Sequence, residues 1–280
     1  MAQKVHIRFP TRTVAWVAVL VTICGAISAA AAPPKRPDKS QPCAAWQDDF
    51  SSGTLNPDRW VVASGQAPGY IVGNHIGYYD PKNVSVEKGY LKILLTQKTA
   101  LVNGSNGYVS YGGLVYTKAT CGYGTYEWTM RMSSTASSSD ASGAWVLGSV
   151  SAGFLYVNNS ETEIDFEYSA TTPEDVWAVN WLNTNPHRTP TSAMETATRV
   201  SESDATATFH TYRFIWAPGV ISFYIDDGLV ATHTTDVPST PAYFMINHWG
   251  TNNSSGWGGW ATPGTSRYFY VKSVSYTPLQ

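Results

Sequence analysis

From Trp46 onward the chain alternates between short runs of β-branched and aromatic residues and clusters of Gly, Pro, Asn, Asp and Ser. The runs Tyr90–Leu95, Gly124–Met132, Glu163–Tyr168, Val176–Trp181, Phe209–Trp216, Val220–Ile225, Tyr243–Trp249 and Tyr268–Tyr276 have the length and side-chain pattern of strands. Two hairpins can be read directly. Ala217-Pro218-Gly219 and Asp226-Asp227-Gly228 each separate two runs, and glycine is expected to supply the positive φ of each turn. Only Ala193–Arg199 offers an arguable amphipathic helix, weakened by flanking Ser and Thr. Many short strands without helices predict an all-β sandwich. Loops rich in Ser, Gly and Asn at Val102–Gly107, Ser133–Ser142 and Thr251–Gly259 are long enough to rim a cleft. No repeat breaks the pattern, so one domain is expected over residues 46–280.

The first 32 residues differ in kind. They hold Lys4, Arg8 and Arg12 but no Asp or Glu, then an apolar run at 14–24 and small residues from Ser28 to Ala32. That is the order of a cleavable signal peptide, and the apolar run falls short of the ~20 residues of a membrane span. Residues 33–45 open with the Pro- and charge-rich PPKRPDKSQP and read as a disordered linker. The expected product is therefore secreted and, after cleavage, free of the membrane. Without the leader cations, 15 Lys and Arg face 20 Asp and Glu, which argues against nucleic acid as a partner. The remainder keeps ten of eleven Trp and all seventeen Tyr, which excludes disorder and suits either a β core or stacking platforms for sugars.

Cys24 lies in the leader, leaving Cys43 and Cys121 as an even pair that an oxidising compartment would join. The alternative is two buried thiols. No cofactor is expected, and no metal site, because no histidines converge with the cysteines in sequence. Nothing in the pattern suggests a subunit interface, so a monomer is expected.

The most informative segment is Glu161-Thr162-Glu163-Ile164-Asp165-Phe166-Glu167-Tyr168. On a strand, Glu163, Asp165 and Glu167 share one face while Ile164 and Phe166 point into a core. No Lys or Arg intervenes, and like charges along one face are destabilising unless they serve a purpose. A solvated strand face is the plain alternative. At ~3.3 Å per residue the outer two Cα atoms lie about 13 Å apart, and side chains leaning inward could approach the ~5–5.5 Å carboxyl separation of a retaining glycosidase. Such an enzyme needs one ionised and one protonated carboxyl group, and a third acid between them helps separate their pKa values.

These residues resemble the E-x-D-x-E signature of glycoside hydrolase family 16. The resemblance extends to NVSVEKGYLKILL (83–95), CGYGTYEWTM (121–130), FHTYRFIWAPGVISFYIDDGLV (209–230) and DVPSTPAYFMINHWG (236–250), most similar to the licheninase branch. It implies a β-jelly-roll of two antiparallel sheets with a concave cleft, and a polysaccharide substrate. It also implies Glu163 as nucleophile, Asp165 as assisting acid and Glu167 as general acid/base. Asn180 and Asn247 fall where family members bind sugar hydroxyls, and Trp249, Trp257 and Trp181 are candidate platforms, each with core packing as the alternative. His210 reads as a structural hydrogen-bonding residue, and His248 should face away from Asn247.

Three departures from the licheninase pattern bear on substrate. Glu161-Thr162 replaces a Trp-Asp pair before the nucleophile, which adds a fourth acid. Leu114 and Tyr116 replace a Glu and an Arg that contact distal sugars. Lys272 stands where the family's calcium-binding aspartate would be, which predicts no calcium requirement. The expected function is a retaining endo-β-glucanase, with mixed-linkage β-1,3-1,4-glucan as substrate. The alternatives are a xyloglucan-active hydrolase or transglycosylase on the same fold, a non-catalytic carbohydrate-binding sandwich, or a structural β-protein.

Overall fold

The computed structural model describes residues 43–68, 74–253 and 256–280; the expected leader and all of the linker up to residue 42 lie outside the described residues. The strands are β1 (Trp46–Asp48), β2 (Trp60–Val62), β3 (Gly65–Gln66), β4 (His75–Tyr79), β5 (Val84–Glu87), β6 (Tyr90–Val102), β7 (Ser105–Cys121), β8 (Gly124–Ser134) and β9 (Ser149–Val157). They continue with β10 (Thr162–Ser169), β11 (Asp175–Trp181), β12 (Glu195–Ser201), β13 (His210–Ala217), β14 (Val220–Ile225), β15 (Gly228–His233), β16 (Ala242–Gly250) and β17 (Arg267–Pro278).

Two antiparallel sheets form the sandwich. The cleft sheet runs β2-β7-β16-β9-β10-β11-β12. The back sheet runs β5-β6-β17-β8-β13-β14-β15, with β1 beside the far end of β17. Strands β6 and β7 are long enough to serve both. Leu91–Leu95 pair with β17 in the back sheet, Thr96–Val102 form a hairpin with Ser105–Tyr111, and the rest of β7 enters the cleft sheet beside β16. One pairing departs from the antiparallel expectation: β4 lies parallel to β7 over Tyr108–Gly112.

The core lies between the sheets and follows from strand alternation. On β13, His210, Tyr212, Phe214 and Trp216 point inward, and Ile221, Phe223 and Ile225 answer from β14. From the cleft sheet, Ile164, Phe166 and Tyr168 are fully buried. Phe166 meets Tyr212 and Phe223 with ring centroids 5.3 and 5.4 Å apart. Trp128 stacks on Phe244 at 4.3 Å and lies over Gly153, where a Cβ would come within 2.8 Å of the indole. Truncating a buried aromatic such as Phe166 to alanine costs about 3–5 kcal/mol through lost contacts and the cavity left behind. This packing makes β10 a rigid base for its other face.

Two sequence expectations need correction. Ala193–Arg199 is not a helix: one 3-10 turn at Ser192–Met194 leads into β12, whose pairing with β11 overrides a weak helical period. In the second hairpin the positive φ belongs to Asp226 (46°) and Asp227 (66°) rather than to Gly228, aspartate being one of the few residues that tolerate this region. Gly219 carries its expected φ of 75°.

Cys43 and Cys121 form a disulfide with Cα atoms 5.3 Å apart, which fastens Cys43–Ala45, the end of the expected linker, to β7. His248 is buried on the core face, as alternation required, with Nδ1 2.9 Å from the Ile93 carbonyl and Nε2 2.8 Å from Ser133 Oγ. Burial lowers its pKa to about 3, so it is neutral. Lys272 is exposed on β17.

Candidate active site

Across the outer face of the cleft sheet runs a cleft of about 430 Å³ whose floor is β10. Glu163, Asp165 and Glu167 all line it, as the alternation of β10 predicts. Register supplies the neighbours: Glu163 lies between Tyr156 of β9 and Trp181 of β11, Asp165 between Phe154 and Val179, and Glu167 between Ala152 and Trp177. One strand further on either side come Asn247 on β16 and Glu195 and Ala197 on β12.

No Lys, Arg or His is among the described residues lining the cleft, so the carboxyl groups share a site without a compensating cation. Burial and their mutual repulsion both favour the protonated forms. Burial pushes Glu163 up to about 7, opposed by a hydroxyl donor from Ser160 and reinforced by Glu195. Burial pushes Glu167 up to about 8, with Glu163 adding to the rise and a Trp257 indole N–H hydrogen bond opposing it. Asp165, enclosed by Glu163, Glu167 and Glu195, is raised well above the usual range by burial first and by its neighbours second. Glu195 is raised by burial. The outer two acids thus have different environments on one strand face.

Ser160 Oγ donates to Glu163 Oε2 at 2.5 Å. It comes from an unusual turn in which Asn158, Asn159 and Ser160 all take positive φ, at 47°, 57° and 61°. Left-handed conformations cost L-residues about 1–2 kcal/mol each. The turn is tied down from outside: Asn183 N–H donates to the Ser160 carbonyl at 2.8 Å and Asn183 Nδ2 to the Asn159 carbonyl at 2.8 Å. Asn159 Nδ2 in turn donates to the Arg188 carbonyl at 2.8 Å. The surroundings therefore hold Ser160 where its hydroxyl meets Glu163.

Among the expected sugar-binding residues, Trp181, Asn247, Trp249 and Trp257 line the cleft. Asn247 is buried, its Nδ2 donating to Tyr79 Oη at 3.3 Å while its Oδ1 has no partner. Trp257 stands edge-on to Trp177, with centroids 5.6 Å apart. Trp249 is almost enclosed, packed with Tyr79 and Val150 beneath Trp257, so it contributes a wall more than an open platform. Asn180 does not line the cleft. It pairs with Ile164 and shares that residue's core-facing side, where Nδ2 donates to the carbonyls of Thr235 and Asp236 and Oδ1 lies 2.6 Å from His233 Nδ1. The parity that sends Asn180 inward sends Trp181 out. Glu161 is also no cleft acid: Thr240 Oγ1 and Asn158 Nδ2 both donate to its carboxylate, and the fourth acid of the cleft is Glu195.

Sequence reasoning missed Ser160, Glu195, Tyr79, Tyr156 and Trp177. Trp177 lies ten positions after Glu167, and only the β10–β11 register brings the two together. Leu114 lines the opposite wall, while Tyr116 stands on the same strand face against Tyr243, their rings perpendicular at 5.9 Å.

Comparison with known proteins agrees with this geometry. The family model described as "Glycosyl hydrolases family 16" matches residues 74–269. A beta-glucanase of Paenibacillus polymyxa is 43% identical over 75 residues, 26% of this chain and 32% of that protein. A beta-glucanase of Acetivibrio thermocellus is 30% identical over 204 residues, 69% of this chain and 53% of that protein. The chain thus spans about a third to a half of the length of these curated relatives. The solved structure of the Bacillus licheniformis beta-glucanase superposes with a TM-score of 0.66 at 25% identity, covering 85% of this chain and all of that one. The chain belongs to glycosyl hydrolases family 16.

Proposed function

We propose that the protein is a retaining endo-β-glucanase, with mixed-linkage β-1,3-1,4-glucan as its substrate. The observation that carries this reading is the pair of cleft carboxyl groups, Glu163 and Glu167, on one strand face with Asp165 between them. Their different surroundings suit a double displacement. Glu163, whose anion the Ser160 hydroxyl stabilises, attacks the anomeric carbon, while Glu167, pushed up by burial and by Glu163, carries the proton that the leaving oxygen needs. In the second half, ionised Glu167 takes a proton from water as the water oxygen bonds to the anomeric carbon and the bond to Glu163 breaks. Asp165, kept protonated by its surroundings, is a hydrogen-bond donor to either neighbour.

The rest of the cleft supports a neutral sugar chain. Its aromatic walls offer Trp181, Trp177 and Trp257 for stacking, and the unpartnered Oδ1 of Asn247 is an acceptor for a sugar hydroxyl. With no Lys, Arg or His among the described lining residues, the cleft offers no cation to pair with a sulfated or uronic polymer. Among the described residues no helix is long and apolar enough to cross a membrane. The disulfide suits an oxidising compartment, which supports an exported enzyme.

The test is the oligosaccharide product profile on barley β-glucan, lichenan, laminarin and xyloglucan, with Glu163→Ala as control. Discrete products from the mixed-linkage polymers, absent in the variant, are expected. Activity on xyloglucan with none on barley glucan overturns the substrate and moves the protein to the xyloglucan-active alternative. Binding without cleavage of any polymer overturns the catalytic reading.

A further inference from the structure

Away from the cleft, the residues just after β12, the start of β13 and the β14–β15 turn converge on one imidazole. His210 is buried, its side chain 9% exposed, and Nδ1 lies 2.6 Å from Asp226 Oδ2. The other oxygen of Asp226 accepts the Thr211 N–H at 2.8 Å, so this carboxylate is fixed at both ends against Nδ1. The carboxylates of Asp226, Glu202 and Asp204 outweigh burial and raise the pKa of His210, so metal binding has to displace a proton from Nε2. Nε2 is buried and makes no hydrogen bond, and it faces Asp204 Oδ1 at 3.2 Å and Glu202 Oε1 at 3.8 Å. The three atoms lie within 4.8 Å of one another. Among the described residues, no Lys or Arg forms an ion pair with Glu202, Asp204 or Asp226.

We propose that His210 Nε2, Glu202 and Asp204 form a binding site for a divalent transition-metal ion of the zinc type, independent of the glycosidase cleft. The donor set is one imidazole and two carboxylates, with room for water as a fourth ligand on the solvent side, where Asp204 is half-exposed. Bonds of about 2.0–2.2 Å in a tetrahedron put ligand atoms roughly 3.4 Å apart, close to the 3.2 and 3.8 Å found here. Asp226 plays the outer part of a carboxylate–histidine–metal arrangement, which orients the ring and raises the basicity of Nε2. The backbone keeps the ligands in place: Ala207 and Thr208 N–H groups donate to the Asp204 carbonyl at 2.8 and 2.9 Å, and Glu202 N–H donates to the Glu174 carbonyl at 2.9 Å. An oxygen-preferring ion such as calcium suits the imidazole poorly, which gives the site its selectivity.

The test is titration of tag-free, chelator-stripped and dialysed protein with Zn²⁺ by calorimetry, and with Co²⁺ followed by visible absorption. One saturable site per chain is expected, with a long-range ¹⁵N shift of His210 Nε2 on binding. Asp204→Asn and Glu202→Gln are expected to weaken Zn²⁺ binding at least tenfold, and Asp226→Asn 10- to 100-fold. Asp140→Asn, at an exposed carboxylate paired with Lys88, serves as the control and leaves binding unchanged. The melting temperature of each variant in chelator shows that it remains folded, and the His210 shift in the parent protein reads the site without any variant. No saturable binding up to millimolar Zn²⁺, or binding indifferent to Asp204 and Glu202, overturns the proposal and leaves an imidazolium held by carboxylates.

Discussion

Replacing Ser160 by glycine isolates the hydroxyl that meets Glu163. At φ 61° a glycine is unstrained where serine is not, so Ser160→Gly removes the donor while relieving backbone strain. The 2.5 Å contact is a hydrogen bond to a charged acceptor, a class that contributes about 1.5–3 kcal/mol. At 1.36 kcal/mol per pKa unit, its loss destabilises the Glu163 carboxylate by roughly 1–2 units. The donor favours the anion, so its removal raises the pKa above the present value of about 7. The acid limb of kcat/KM should therefore move up by roughly 1–2 pH units. Because Glu167 titrates near 8, the two limbs then merge and the maximum rate falls as well. The assay is kcat/KM on soluble β-glucan from pH 4.5 to 9, with melting temperature measured alongside. An acid limb unmoved within 0.3 units, or an activity loss matched by a drop in melting temperature, refutes the reasoning.

Other outcomes follow from the same geometry. Glu163→Ala is expected to abolish turnover while leaving the melting temperature close to that of the parent, and retained activity would remove it from the nucleophile role. Glu167→Ala should slow substrates with poor leaving groups far more than activated aryl glycosides, since only the former need protonation; equal losses on both count against the acid role. Glu167→Gln should stabilise the fold in alkali. The native carboxyl ionises near 8 but near 4.5 when unfolded, so its stability contribution is lost as pH rises between those values, and the variant's advantage should grow from nothing at pH 4 to several degrees of melting temperature at pH 8. Reducing the Cys43–Cys121 disulfide, which spans 78 positions, should cost about 4.5 kcal/mol in a chain-entropy treatment, read as a shifted urea midpoint. An unchanged midpoint on reduction would show that the tether constrains little.

The acidic strand was legible because β10 has one face of carboxylates lining the cleft and one apolar face in the core, and period-two alternation marks such a strand. Strand β9, SVSAGFLYV, was not, since nearly every residue is buried and small residues alternate with nothing. The parity of β11 was equally hidden. Its own sequence does not say whether Asn180 or Trp181 faces sugar, and that choice is made by pairing with Glu163 and Ile164 across the ladder. Glu195 escaped notice because it opens an edge strand among Ser and Thr residues. Asp226 and Asp227 show a different limit. The turn was found, but which residues bend left depends on the register of β14 and β15.

The position of β1 has a consequence for the order of assembly. Trp46–Asp48 hydrogen-bond only to Val274–Tyr276 in the ladders described, so the first strand of the domain has no partner until the last one exists. Its sulfur partner, Cys121, lies at the end of β7, far earlier in the chain. Oxidation can thus moor the leading segment well before β17 arrives, and the entropic cost of bringing the two chain ends together is lowered in advance. Pairing between such distant segments is slow in β-proteins, and this covalent mooring shortens the search.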